Sequence, residues 1–186
     1  MRAHWTLDDD ITFLNHGSFG ACPRVVQEAQ SRLRARLEAE PVRFMERELW
    51  PLWDAARTAV ARFVGCNPAN LAFVANATAG VGAVLRSLDF GPGDELLTTN
   101  HEYPGSRNAL AYVARRTGAE LVTADIPFPV ASDVQSLEAI LARGSDRTKL
   151  ALVVHVTSAT GRVRPLDRRV AELSQRGVDP RVVAGP

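Results

Sequence analysis

Asn76-Ala77-Thr78-Ala79-Gly80 stands between an apolar run, Leu71-Ala72-Phe73-Val74, and a stretch of small residues at helical spacing. A strand-to-helix turn of this kind presents unsatisfied backbone N–H groups and the positive end of a helix dipole, here beside the Thr78 hydroxyl. Small side chains let an anion approach the backbone, so the turn reads as a phosphate cradle. The same residues suit plain helix capping, and the turn alone leaves both readings open. Three more loops hold polar groups beside glycine: Asn15-His16-Gly17-Ser18-Phe19-Gly20, Asn100-His101-Glu102-Tyr103-Pro104-Gly105 and Thr157-Ser158-Ala159-Thr160-Gly161. Gly17 and Gly20 flank Ser18-Phe19 and permit close backbone approach to a ligand, which makes His16 a binding candidate; its alternative is a structural loop histidine. Tyr103 offers a flat aromatic face, or is a surface tyrosine in a turn. Ser158 is a polar donor, or an ST-turn closing a strand. Arg162 and Arg164 have the forked geometry for a carboxylate.

The elements that must carry these loops follow from the apolar pattern. Pro23 opens a helix with apolar positions Val26, Ala29, Leu33 and Leu37, and a second helical stretch runs from about Glu46 to Val64, with Pro51 restarting or kinking it and Trp50 and Trp53 packing there. From Leu71 onward short apolar runs alternate with helix-length segments. Strands are expected at 71–74, 95–98, 120–124, 150–155 and 181–183, and helices at about 80–88, 104–116, 133–142 and 165–176. Ser132-Asp133-Val134-Gln135 is a capping box for the third of these helices. Alternation of this kind makes an α/β fold of three layers with a mostly parallel sheet, whose ligands bind beyond the carboxyl ends of the strands. Asn76, Tyr103 and Ser158 each follow such an end.

In order and content the four loops resemble the class V aminotransferases of the fold-type I pyridoxal phosphate (PLP) enzymes, most closely their isopenicillin N epimerase-like branch. The resemblance runs from about Phe13 to about Asp179. It implies an α/β/α PLP-dependent transferase-like large domain, with 1–60 forming the N-terminal substrate-side segment and helices and 61–186 part of the PLP-binding domain. It also implies PLP as cofactor, a small amino acid or peptide substrate, transamination or epimerisation as the reaction, and a homodimer. Residue by residue, Ala77 and Thr78 would contact the cofactor phosphate, with Asn76 ordering the turn. Tyr103 would stack on the pyridine ring, with His101 as the alternative, and Ser158 would lie near the ring's phenolic oxygen. Asn15, His16 and Gly17 would form the substrate side. The cysteine desulfurase or lyase branch shares the cradle but needs a reactive cysteine on a later loop. A non-catalytic binding or dimerising module is the reading from another class.

Two parts of the family's machinery find no match. PLP chemistry needs a lysine amine to anchor the cofactor and move protons, and an acid beside the pyridine nitrogen. Counting from Gly161 and from Gly177 places Val183 where the acid belongs. Lys149 is the only lysine, and it precedes a strand, on the edge of the sheet away from the cradle. No catalytic residue is therefore assigned, and the ending from Asp179, with Pro180 unwelcome in a central strand, reads as that of an amino-terminal part.

Composition narrows the rest. The chain of 186 residues suits one well-buried α/β domain. A formal charge of +1 from 22 basic and 21 acidic residues favours neither nucleic acid nor an anionic membrane. Cys22 and Cys66 lack metal-ligand spacing and read as free, buried thiols in a cytoplasmic protein, with no metal expected. No Gly-x-Gly-x-x-Gly follows a strand, which argues against a dinucleotide-binding domain.

Overall fold

A computed structural model describes residues 2–158, 160–163 and 166–184. They divide into two compact units, one ending at Phe73 and one beginning at Val74. In the first, a short helix α1 (His16–Phe19) precedes α2 (Arg24–Ala39), and α3 (Pro41–Arg43) runs through a π-helical turn, Phe44–Glu48, into α4 (Leu49–Val64). The π turn and Pro51 belong together. A ring without an N–H is tolerated in the first turn of a helix, so the chain restarts there. Only Phe44 and Ala61 of this unit are buried hydrophobics among the described residues. Trp50, expected to pack, is 63% exposed, while Trp53 meets Phe73 edge to face at 5.1 Å. The thiols expected to be buried are exposed: Cys22 precedes α2 and Cys66 follows the left-handed Gly65 that ends α4, so both sit at helix ends outside any core.

The expected strand at 71–74 is not a strand and has no strand partner among the described residues. An isolated run makes no ladder, whatever its β-propensity.

The second unit is a parallel α/β sandwich. Helix α5 (Ala77–Arg86) leads to β1 (Glu95–Thr99), α6 (Pro104–Thr117), β2 (Glu120–Ala124), α7 (Asp133–Arg143), β3 (Thr148–His155), α8 (Leu166–Gln175) and β4 (Asp179–Ala184). The four strands lie in the order β2-β1-β3-β4, all parallel. Side chains alternate across the sheet with the strand period of two. Leu97, Ala151 and Val153 pack with Ile140 of α7 and Leu173 of α8, whereas Leu96, Leu150 and Leu152 pack with Leu85 of α5 and Leu110 and Val113 of α6. Helices therefore cover both faces, as the alternating pattern predicts. Pro180 is accommodated because, among the described residues, β4 pairs only with β3 and forms an edge. Ser132 caps α7 through Gln135 N–H at 3.1 Å, but the Gln135 side chain reaches back to Ala131 N–H, one residue before the expected partner.

The order has a switch point. From β1 the chain crosses to β2 on one side, and from β3 to β4 on the other, so the connections diverge between β1 and β3. A crevice opens at the carboxyl ends of two such strands.

A polar staple holds the opposite edge. Glu95 is buried at the start of β1, where its carboxylate accepts hydrogen bonds from Ser145 Oγ at 2.7 Å and Thr148 Oγ1 at 2.9 Å and pairs with Arg147 at 2.6 Å. The Ser145 hydroxyl, ahead of the burial that opposes it, and then Thr148 and Arg147 hold the carboxyl below its ordinary value of 4.5. A carboxyl depressed in the folded state stabilises fully above its unfolded value, and that contribution is lost as pH falls through the lower folded value. Glu95→Gln is expected to cost about 2 kcal/mol at pH 7 and to flatten the acid limb of stability. Urea unfolding at pH 7 and at about pH 3 checks this; equal midpoints for both proteins at pH 7 would contradict it.

Candidate functional site

The carboxyl rim is built around the start of α5. Asn76 lies in extended backbone, and its side-chain oxygen accepts Ala79 N–H at 2.8 Å while its carbonyl accepts Gly80 N–H at 3.1 Å. The helix therefore opens at Ala77, three residues earlier than the small-residue pattern predicts, because Asn76 supplies the cap. Ala77 and Thr78 occupy the first turn, where backbone N–H groups have no carbonyl within the helix to meet. Both residues are exposed, and no acidic residue stands in this turn to satisfy the dipole.

The start of α6 differs. Glu102 is buried there and its carboxyl group accepts Tyr103 N–H at 3.1 Å, so an acidic side chain of the chain itself meets this helix start. Of these two starts, that of α5 is the one with no acidic side chain on its amides.

Gly105 joins the two helix starts. A Cβ on it would lie 3.1 Å from Thr78 Oγ1 and 2.8 Å from Tyr103 Cε1. The missing Cβ therefore lets the hydroxyl and the aromatic ring both close on the start of α6. Tyr103 and the 76–78 turn, expected to share a rim, are thus in one place. A flat phosphorylated ligand fits this arrangement in kind: amides, a hydroxyl and a dipole for the phosphate, and an aromatic face beside it. His101, the alternative stacking residue, is turned to the neighbouring loop, with Nε2 3.0 Å from the Ile126 carbonyl.

Ser158 is exposed in the turn after β3, at the same sheet edge. Beside it Thr157 is buried and organises the loop: its hydroxyl meets that of Thr160 and accepts Arg162 N–H at 3.0 Å, and its carbonyl accepts Gly161 N–H at 2.8 Å. Arg162, a candidate carboxylate ligand, pairs with Asp133 at 3.0 Å and donates to the Val130 carbonyl at 3.1 Å. Arg164 lies outside the described residues.

Asn15, His16 and Gly17 belong to the first unit. His16 packs edge to face on Phe13 at 4.7 Å and lies 6.0 Å from the Trp5 ring, beside a cavity of about 590 Å³ that these residues line with Arg2 and Ile11. Gly20, and not Gly17, is the tight glycine: a Cβ on it would lie 2.8 Å from the His16 carbonyl, and Gly17 has open space around it. The approach that Gly20 permits is to the turn's own backbone, which closes the helix α1.

The class-V aminotransferase family model matches residues 11–179. The chain belongs to the class-V aminotransferase family. The family comprises PLP-dependent enzymes acting on small amino-acid substrates. Isopenicillin N epimerase of Amycolatopsis lactamdurans is 37% identical over 180 residues, covering 95% of the chain and 45% of the epimerase. A putative L-cysteine desulfhydrase of Oryza sativa subsp. japonica is 33% identical over 184 residues, covering 91% and 38%. Among solved structures, a mutant of C-DES with glycine covalently linked to its PLP cofactor superposes with a TM-score of 0.84 at 23% identity, over 96% of the chain and 47% of C-DES. This last likeness shows the fold. The class-V chain spans about half the length of the curated relatives it matches.

Within this class-V aminotransferase chain, Lys149 occupies a bulge at the amino end of β3, between the Glu95–Thr148 and Leu96–Leu150 pairs. It is 59% exposed by its side chain and faces Asp94 at 4.0 Å. Six residue steps of strand, about 20 Å, separate it from His155 at the rim end. Val183 sits opposite Val154 in β4 and packs against the α5 and α6 side of the core. Two rim residues carry no weight in the sequence reading, Gly105 as the point on which Thr78 and Tyr103 close and Asn100 as a clamp on the next loop. Glycine at the second position of a helix and asparagine directly after a buried strand are the available signals for them.

Proposed function

We propose that the chain provides the cofactor-binding half of a PLP-dependent enzyme that transaminates or epimerises an amino acid or peptide. The observation that carries this is the meeting of the Asn76-capped start of α5, the Thr78 hydroxyl and the Tyr103 ring around Gly105. In this reading the N–H groups of Ala77 and Thr78, with Thr78 Oγ1, bind the phosphate, and Asn76 fixes their direction. Tyr103 orients the pyridine ring, and Ser158 Oγ donates to its phenolic oxygen. Asn15, His16 and Gly17 form the substrate side. When bound, PLP supplies an electron sink for the substrate's α-carbon. The family membership and the epimerase relative support this assignment. A second reading, lyase chemistry at a carbon–sulfur bond, is favoured by the desulfhydrase relative. The compartment we propose is cytoplasmic and the assembly a homodimer; no helix among the described residues is long and apolar enough to cross a membrane.

The test is equilibrium dialysis with 4′-deoxypyridoxine 5′-phosphate, which lacks the aldehyde and forms no adduct with Lys149 or the amino terminus. Binding is expected to be displaced by inorganic phosphate and to weaken at least about tenfold in Asn76→Ala/Thr78→Val, the loss of a cap and a charge-assisted hydrogen bond. Binding unchanged in that variant would remove the cradle.

A further inference from the structure

The chain leaves β1 at Asn100, and the contacts made there are those of one more strand residue. Asn100 N–H donates to the Ala124 carbonyl at 3.0 Å. Its side chain then takes over from the backbone: Oδ1 accepts Ile126 N–H at 3.0 Å, and Nδ2 donates to the Ile126 carbonyl at 3.0 Å and to Asp125 Oδ1 at 2.6 Å. An amide side chain offers one acceptor and two donors in a plane, which matches the N–H and C=O of a backbone residue. The pairing of β1 with β2, which ends at Thr99 and Ala124, is thereby carried one step past the sheet while the main chain of 101–103 turns away. The anchor is firm because Ile126 is buried in the core beneath β2, 1% exposed. His101 adds a second contact to the same carbonyl. Three residues after the clamp stands Tyr103, whose side chain has no hydrogen bond of its own among those described and is 47% exposed.

We infer that Asn100 is the positioning residue for Tyr103, holding the 100–103 turn on the Ile126 backbone so that the ring stays beside Thr78 and Gly105. The functional meaning of this placement rests on the PLP reading of the rim. The geometry itself does not.

The chain has two tyrosines, Tyr103 at the rim and Tyr112 on α6, so labelling with 3-fluorotyrosine gives two fluorine resonances, assigned by Tyr103→Phe. Asn100→Ala is expected to shift or broaden the Tyr103 resonance and leave that of Tyr112 in place. It is also expected to lower the affinity for 4′-deoxypyridoxine 5′-phosphate about fivefold, as one hydrogen-bonded contact is worth, with affinity for inorganic phosphate unchanged. An unmoved Tyr103 resonance would overturn the inference. Should both resonances move, Asn100→Asp decides, since a carboxylate keeps the acceptor for Ile126 N–H and loses the donor to the Ile126 carbonyl: a Tyr103 shift with Tyr112 in place supports the clamp, and a Tyr103 resonance that stays, or moves only together with that of Tyr112, overturns it. The two claims separate on Thr78→Val. If that variant weakens the analogue while Asn100→Ala leaves Tyr103 unmoved, the clamp fails and the cofactor reading stands; if Thr78→Val changes nothing while Tyr103 responds to Asn100→Ala, the reverse holds.

Discussion

Incubated with PLP and a panel of amino acids, the chain is expected to form no keto acid and to cause no loss of optical activity beyond that produced by free PLP. The reason is positional. PLP enzymes use a lysine at the cofactor to anchor it and to carry protons to and from the substrate's α-carbon, and Lys149 is the only lysine. It sits in the bulge at the amino end of β3, facing Asp94, with the length of the strand between it and the rim. Flexibility does not close that gap, since a lysine side chain spans about 6 Å and the strand about 20 Å. The acid that would keep the pyridine nitrogen protonated also has no counterpart where counting from Gly161 and Gly177 leads, at Val183. Groups that act as a unit do not compensate for one another, so the loss is near complete. Lys149→Ala should therefore leave the background rate unchanged. Turnover clearly above that of free PLP, and abolished by Lys149→Ala, would contradict the placement of this residue.

Gly105→Ala is expected to separate binding from stability. The new Cβ falls 2.8 Å from Tyr103 Cε1 and 3.1 Å from Thr78 Oγ1, too close for both to remain. Tyr103 is nearly half exposed, so its ring swings outward at little cost to the fold. Alanine in the first turn of α6 also orders the helix better than glycine by about 0.5–1 kcal/mol. The melting temperature should hold or rise, while affinity for 4′-deoxypyridoxine 5′-phosphate falls about tenfold or more, equivalent to about 1.4 kcal/mol. Thermal unfolding and dialysis on the same preparation check it. A variant that melts lower and binds as before would show that the space at Gly105 serves packing alone.

The sheet was legible because its signal is redundant. Leu150 to Val154 is apolar on both faces, as a strand covered by helices on both sides must be, and Gly118 and Gly177 mark the helix ends with left-handed backbone. The run 71–74 misled because pairing depends on a neighbour in space, which a local pattern does not contain. Trp50, Cys22 and Cys66 misled for a related reason: burial follows from what packs on a helix, and the unit up to Phe73 buries little. At the rim, the Asn76 cap and the place of Thr78 in the first turn of α5 were readable from the chemistry of a helix start. The clamp by Asn100 and the close approach at Gly105 were not, because each depends on a partner from another segment, Ile126 in one case and Thr78 in the other.

Diffraction from crystals grown with 4′-deoxypyridoxine 5′-phosphate tests the central claim most directly, since it locates the phosphate without relying on turnover or on an aldehyde. The account predicts phosphate oxygens on the N–H groups of Ala77 and Thr78 and on the Thr78 hydroxyl, with the pyridine ring against Tyr103. A phosphate bound elsewhere, with water on the Ala77 and Thr78 amides, would contradict it.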